Sequence, residues 1–175
     1  MADPVVNEYG PKKGKAGLPL NVIGEDLDSH PNAKIRFGGS DSPVNKVLNA
    51  QHIQAEVPAG IPDGVVAVSL AYDDFGPILI GGFTIGKVPA GTAITDVYPA
   101  TLSGGDTVSI FGYGFTAGHT VSEVTFNGAP VPVVSTNDTL VQVTAPPGRP
   151  GTAVAIAFNF SDGTSAPSPI VPVYS

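Results

Sequence analysis

Three histidines, His30, His52 and His119, and fifteen acidic residues are the groups with which this chain of 175 residues could do acid–base or metal chemistry. A metal site needs three or four ligands that converge, usually from short fixed spacings. The histidines stand singly, with neither His-x-His nor His-x3-His spacing. By pattern His30 and His119 fall in loops and His52 in a strand, and solvent-facing rings are the expectation. The densest acidic run, Glu25-Asp26-Leu27-Asp28-Ser29-His30, lacks the glycine and bidentate glutamate of a calcium loop. It reads as a solvated turn. Tyr72-Asp73-Asp74-Phe75 sets two carboxylates between two rings at a hairpin tip. Rings that stack and oxygens that bond hydroxyls make it a candidate sugar contact; the simpler reading is a turn with packed aromatics. Pro11-Lys12-Lys13-Gly14-Lys15 holds three of the eight positive charges in the loop after the first strand. It reads as a solvated loop or a contact with an acidic protein neighbour. Lys12, Lys13, Lys15, Tyr72, Asp73, Asp74 and Phe75 are therefore the candidate interaction surface.

Other chemistries find no residues to carry them. There is no Gly-x-Ser-x-Gly elbow, no P-loop and no dinucleotide fingerprint. Cysteine is absent, so no disulfide, thiolate metal site or cysteine nucleophile can form. No enzyme activity and no cofactor are expected. The net charge of −7 and pI near 4.6 disfavour a phosphate backbone as partner, so no nucleic acid is expected. The longest apolar runs, Val65–Val68 and Ile78–Ile80, fall far short of the ~20 residues that span a bilayer, so no membrane is expected. The start, Met1-Ala2-Asp3-Pro4-Val5-Val6-Asn7-Glu8, has neither a basic nor an apolar leader region. Synthesis and retention in the cytoplasm is the expectation, which a removed leader would reverse.

These groups must be positioned by a chain with 22 Gly, 18 Pro and only 13% charged residues. That balance suits short strands and many turns. The sequence repeats itself at an offset of 87 to 89: Gly24 with Gly112, Leu27 with Phe115, Pro58 with Pro146, Tyr9 with Tyr98, and Phe83 and Ile85 with Val171 and Val173. Two tandem domains, 1–87 and 88–175, are expected. Within each copy the period is two: Leu18, Leu20 and Val22 alternate with Pro19, Asn21 and Ile23, and Val108 and Ile110 with Thr107 and Ser109. This predicts half-buried antiparallel strands. Turn signals such as Pro62-Asp63-Gly64, Asn127-Gly128 and Asp162-Gly163 recur every 8–12 residues, which predicts β-sandwiches. Gln51–Glu56 reads as strand because it matches Thr139–Thr144. The tail Pro167–Val173 reads as one last edge strand, blunted by proline.

The second copy runs Val97-Tyr98-Pro99, then Gly104-Gly105-Asp106-Thr107-Val108-Ser109-Ile110-Phe111-Gly112-Tyr113-Gly114-Phe115, then Val124-Thr125-Phe126-Asn127-Gly128, and closes on Val141-Gln142-Val143-Thr144-Ala145-Pro146. This resembles the IPT/TIG family of immunoglobulin-like domains over nearly all of 93–174. The first copy carries Tyr9-Gly10-Pro11, and Gly24-Glu25-Asp26-Leu27 where the family has Gly-x-Gly-Phe; its resemblance rests mainly on the repeat. The fold class expected is all-β, two tandem immunoglobulin-like β-sandwiches. Gly112 and Gly114 are expected to need positive φ or close backbone approach.

Fold alone does not give function. The copies differ in charge: seven basic and ten acidic residues in the first, against Arg149, Asp96, Asp106, Glu123, Asp138 and Asp162 in the second. The second copy therefore suits packing against neighbours or self-association. The leading expectation is a structural protein without enzymatic activity. It would be a bacteriophage virion component, a capsid decoration or tail or fibre accessory, that docks on capsid or tail proteins through one domain and displays the other. The alternative is a spacer or carbohydrate-associated module of a bacterial surface or secreted protein, in which case this chain is a fragment. Homo-oligomers and carbohydrate are further partners on these readings.

Overall fold

The computed structural model describes residues 2–175, and no helix occurs among them. They form two compact units, one ending at Val88 and the other spanning Pro89–Ser175. In the first unit the strands are β1 (Val5–Gly10), β2 (Lys13–Gly14), β3 (Pro19–Glu25), β4 (Lys34–Phe37), β5 (Ser40–Asp41), β6 (Asn45–Asn49), β7 (His52–Glu56), β8 (Gly64–Ala71) and β9 (Ile78–Ile85). They build one sheet ordered β1-β3-β7-β6 and a second ordered β2-β9-β8-β4-β5. In the second unit they are β10 (Ala93–Tyr98), β11 (Thr101–Leu102), β12 (Thr107–Tyr113), β13 (Val121–Phe126), β14 (Ala129–Val131), β15 (Val133–Thr136), β16 (Leu140–Thr144), β17 (Ile156–Phe160), β18 (Ser165–Pro167) and β19 (Val173–Tyr174). Their sheets are β10-β12-β16-β15, β14-β13-β17-β18 and the parallel pair β11-β19.

Each unit fills its own core from the inward residues of both sheets. Leu20, Val22, Ile53 and Ala55 meet Ile35, Phe37, Val68, Leu70 and Phe83 in the first, with Phe37 and Phe83 edge-on at 5.3 Å. Val108, Ile110, Val141 and Val143 meet Val124, Phe126, Ile156 and Phe158 in the second, where Phe115 and Phe158 pack at 5.0 Å. Aligned inner faces with alternating inward residues are how two sheets exclude water between them.

The repeat extends to single hydrogen bonds. Gly24 N donates to Gln51 O at 3.0 Å, and Gly112 N donates to Thr139 O at 3.0 Å. Leu27 N donates to Ala50 O, and Phe115 N to Asp138 O. The bulge in β1 is closed by Tyr9 N donating to Glu8 Oε1, and that in β10 by Val97 N donating to Asp96 Oδ1, both at 2.9 Å. A side chain on Gly24 would run into Val5 O, and one on Gly112 into Ala93 O, so both glycines are set by close approach of the paired strand. Gly114 has φ +70 and lies against Gly91 O; the matching residue of the first unit, Asp26, keeps φ at 53 without being glycine. Both units carry a cis X-Pro bond after the first strand, Gly10-Pro11 and Tyr98-Pro99.

Several expectations are corrected. Strand pairing fixes this part of the repeat at 88, so Tyr98 corresponds to Gly10 and Tyr9 to Val97, because the ladders align Val5 with Ala93 through equivalent partners Glu25 and Tyr113. Ile85, paired with Gly14, corresponds to Tyr174, paired with Leu102, and not to Val173. Lys13 lies in β2, paired with Thr84, and not in a loop. Strand β3 is buried on both faces: Asn21 is fully buried and Ile23 nearly so. The tail is two short pieces, because Pro169 and Pro172 lack the N–H that a continuous ladder needs.

Candidate functional site

In the first unit, the loop between β3 and β4 faces the β8–β9 hairpin. The loop begins at the left-handed turn of Asp26, and Leu27 drops into the core with no exposed surface. Tyr72, at the end of β8, donates its hydroxyl to Leu27 O at 2.9 Å and is 7% exposed. Burial, then the nearby Asp28 carboxylate, pushes the phenol up to about 12. Asp73 accepts from Asn32 Nδ2 at 2.5 Å and from Lys34 Nζ at 3.3 Å. These bonds, Asn32 first, hold its carboxyl below the usual range. His30 Nδ1 lies 3.0 Å from Asp74 Oδ1, and the ring packs 4.7 Å from Phe75 and 5.5 Å from Tyr72. The residues read from sequence at the hairpin tip thus face His30, Asn32 and Lys34, three residues the sequence reading did not join to them.

The second unit repeats the brace. His119 Nδ1 lies 3.1 Å from Asp162 Oδ2, its Nε2 lies 3.0 Å from Gly114 O, and its ring stacks 4.2 Å from Phe160. Thr164, through its hydroxyl and its N–H, and then His119 pull the Asp162 carboxyl down to about 2. Asp162 and Phe160 stand 88 residues after Asp74 and Tyr72. That offset, applied to the acidic residues rather than to glycines and apolar positions, was the available signal.

The histidines are corrected as well. None faces solvent: the side chains of His30 and His119 are 9% and 11% exposed, and His52 is 3% exposed. His52 Nε2 meets Asn21 Oδ1 at 3.1 Å, and burial lowers its pKa to about 4. Among the described residues no group of three His, Asp or Glu could hold a metal ion. Among the described residues no helix is long and apolar enough to cross a membrane.

The lysines and the hairpin lie toward opposite ends of β9. Lys13 pairs beside Thr84, whereas the hairpin leads into Ile78. Lys12 turns back onto β1, donating to Tyr9 O at 2.6 Å, pairing with Glu8 and sitting 3.3 Å above the Tyr9 ring. Lys15 is exposed. A cleft of about 520 Å³ opens beside the braced loop, lined by Asp28, His30, Asn32, Lys34 and, on β6, Asn45 and Val47.

The IPT/TIG domain model matches residues 4–85 and again 93–170. Comparison with curated proteins finds no match. Solved structures similar to this chain include the SGBP-B of a Bacteroides ovatus mixed-linkage glucan utilization locus, in complex with a mixed-linkage heptasaccharide (13% identity, 100% of this chain and 46% of that one, TM-score 0.43). A surface glycan-binding protein from Prevotella bryantii matches at 16% identity over 98% of this chain and 42% of that one, with a TM-score of 0.40. The BSP domain of a biofilm associated protein matches at 15% identity over 98% and 29%, with a TM-score of 0.49. The chain spans less than half the length of each of these three.

Proposed function

The chain belongs to the IPT/TIG family, with two copies of the domain in tandem, and we propose that it is a non-catalytic spacer and interaction module of a bacterial surface or secreted protein. One observation carries this reading. Two units repeat a single hydrogen-bonding scheme at an offset of 88, and each closes its own core. A chain of self-sufficient sandwiches sets distance and presents surfaces without needing a reaction centre. The groups best suited to chemistry support it too. His30, His119, Asp73, Asp74 and Asp162 are engaged in holding loops to hairpins within their own units. Contact with protein or saccharide would then be made by exposed loop and edge surfaces.

The test is protease shaving of intact source cells, with release of peptides from this chain followed by mass spectrometry. Release from intact cells, as part of a longer polypeptide, is the expected result. Recovery in fixed stoichiometry with megadalton particles from a lysate would overturn this reading in favour of a virion component.

A further inference from the structure

The geometry points to the cleft beside the braced loop of the first unit as a binding site for a neutral saccharide, an inference that rests on the surface-module reading and deepens it. The polar groups around the cleft have capacity that the protein itself leaves unused. The Asp28 carboxylate has no hydrogen-bond partner among the described residues, and the buried Nε2 of His30 has none. Asn32 uses its amide N–H on Asp73, which leaves its carbonyl, and Lys34 gives one bond of the three its ammonium can make.

This mixture selects a ligand class. An anion such as phosphate would meet the Asp28 carboxylate and the Asn32 carbonyl. A cation would meet Lys34. A sugar carries no charge, and each hydroxyl both donates and accepts, so it can satisfy acceptors and the ammonium together. Val47, 40% exposed, offers apolar surface for the C–H face of a ring. The volume of about 520 Å³ lies within the range of small-molecule sites. The loop is held in place before any ligand arrives, by Asp73, by Asp74 and by the rings of Tyr72 and Phe75, which reduces the ordering cost of binding. The second unit supplies an internal control, since Thr116 stands where the first has Asp28 and, by strand pairing, Glu123 where it has Lys34.

The experiment is a titration of the ¹⁵N-labelled full chain with maltohexaose, cellohexaose and xylohexaose at millimolar concentration, read by amide shifts. For at least one of the three, saturable shifts confined to residues 28–34 and 45–47 are expected. Asp28→Ala and Lys34→Ala, both at exposed positions, should each weaken binding about tenfold, the loss of one charged hydrogen bond. Thr116→Ala in the second unit should leave binding unchanged. Shifts centred elsewhere would overturn the cleft while leaving a saccharide-contacting module. Absence of shifts with all three sugars would overturn it as well, and the surface-module reading would then stand or fall by the shaving experiment alone.

Discussion

His30 Nδ1 lies 3.0 Å from Asp74 Oδ1, tying a loop to a hairpin 44 residues further along the chain. The second unit makes the same tie between His119 and Asp162, 43 residues apart. In each, the imidazole is clamped between a carboxylate and an aromatic face. The two ties differ at the other ring nitrogen: His119 Nε2 reaches Gly114 O, and His30 Nε2 reaches no partner.

That difference ranks two substitutions. His119→Ala removes hydrogen-bond contacts with Asp162, Gly114 O and Thr92 Oγ1 and a ring stack, and a loss of about 2–3 kcal/mol is expected for the second unit. His30→Ala removes one bond and the ring contacts with Phe75 and Tyr72 but relieves an unsatisfied nitrogen, so a loss of about 1–2 kcal/mol is expected. Urea unfolding of each variant measures both. Equal losses would mean that the Nε2 contact adds nothing.

His52 makes the first unit sensitive to acid. Its pKa is about 4 in the fold and 6.5 as the ordinary value, so between these limits the unfolded chain binds the proton and the folded chain does not. Stability from this group is full above pH 6.5 and declines as pH falls towards 4, by about 3 kcal/mol in total. His52→Gln removes a titrating group while keeping an amide donor for Asn21. The expected result is a flatter dependence on pH between 7 and 4.5 than in the parent chain, measured by denaturant midpoints. An unchanged slope would contradict the assignment. Asp162, held at about 2, acts in a separate window: its contribution is full above pH 3.8 and is lost as pH falls through 2.

Equivalent left-handed positions should respond unequally to substitution. At Gly114, φ is +70 and Gly91 O stands 2.8 Å from where a Cβ would be. Gly114→Ala is therefore expected to lower the stability of the second unit by about 2 kcal/mol. Asp26 already holds a side chain at φ 53, so Asp26→Gly should change stability by less than about 1 kcal/mol. Thermal or urea unfolding decides.

The two close-approach glycines give a sharper version of the same test. Gly24→Ala and Gly112→Ala each force apart the first strand pair of one unit, with an expected loss of about 3 kcal/mol. In a two-transition unfolding curve, only the transition of the substituted unit should move.

Much of the architecture could be read from period and punctuation. Alternation in Val108–Ile110 and Val141–Val143, and turns at Asn127-Gly128 and Asp162-Gly163, specify strands and hairpins locally. Gly112 was legible as a point of close approach because its type has few other uses in a strand. What was not legible depends on contacts across the sandwich. Asn21 on β3 and His52 on β7 are buried and bond to each other across 31 residues, a contact that no neighbour in sequence announces. The match of Tyr9 to Tyr98 misled because the residue type is the same while the strand ladder sets Tyr9 against Val97. The hairpin tip was found from Tyr72-Asp73-Asp74-Phe75, but its partners His30, Asn32 and Lys34 lie some forty residues earlier and share no local pattern with it.

The central claim is that this chain is two copies of one self-sufficient unit. The most direct measurement is to express residues 1–88 and 89–175 separately and follow the unfolding of each by calorimetry. Each piece is expected to fold and to unfold in a single cooperative transition, because each has a closed core of its own. A piece that stays unfolded alone, while the full chain unfolds in one shared transition, would contradict the account.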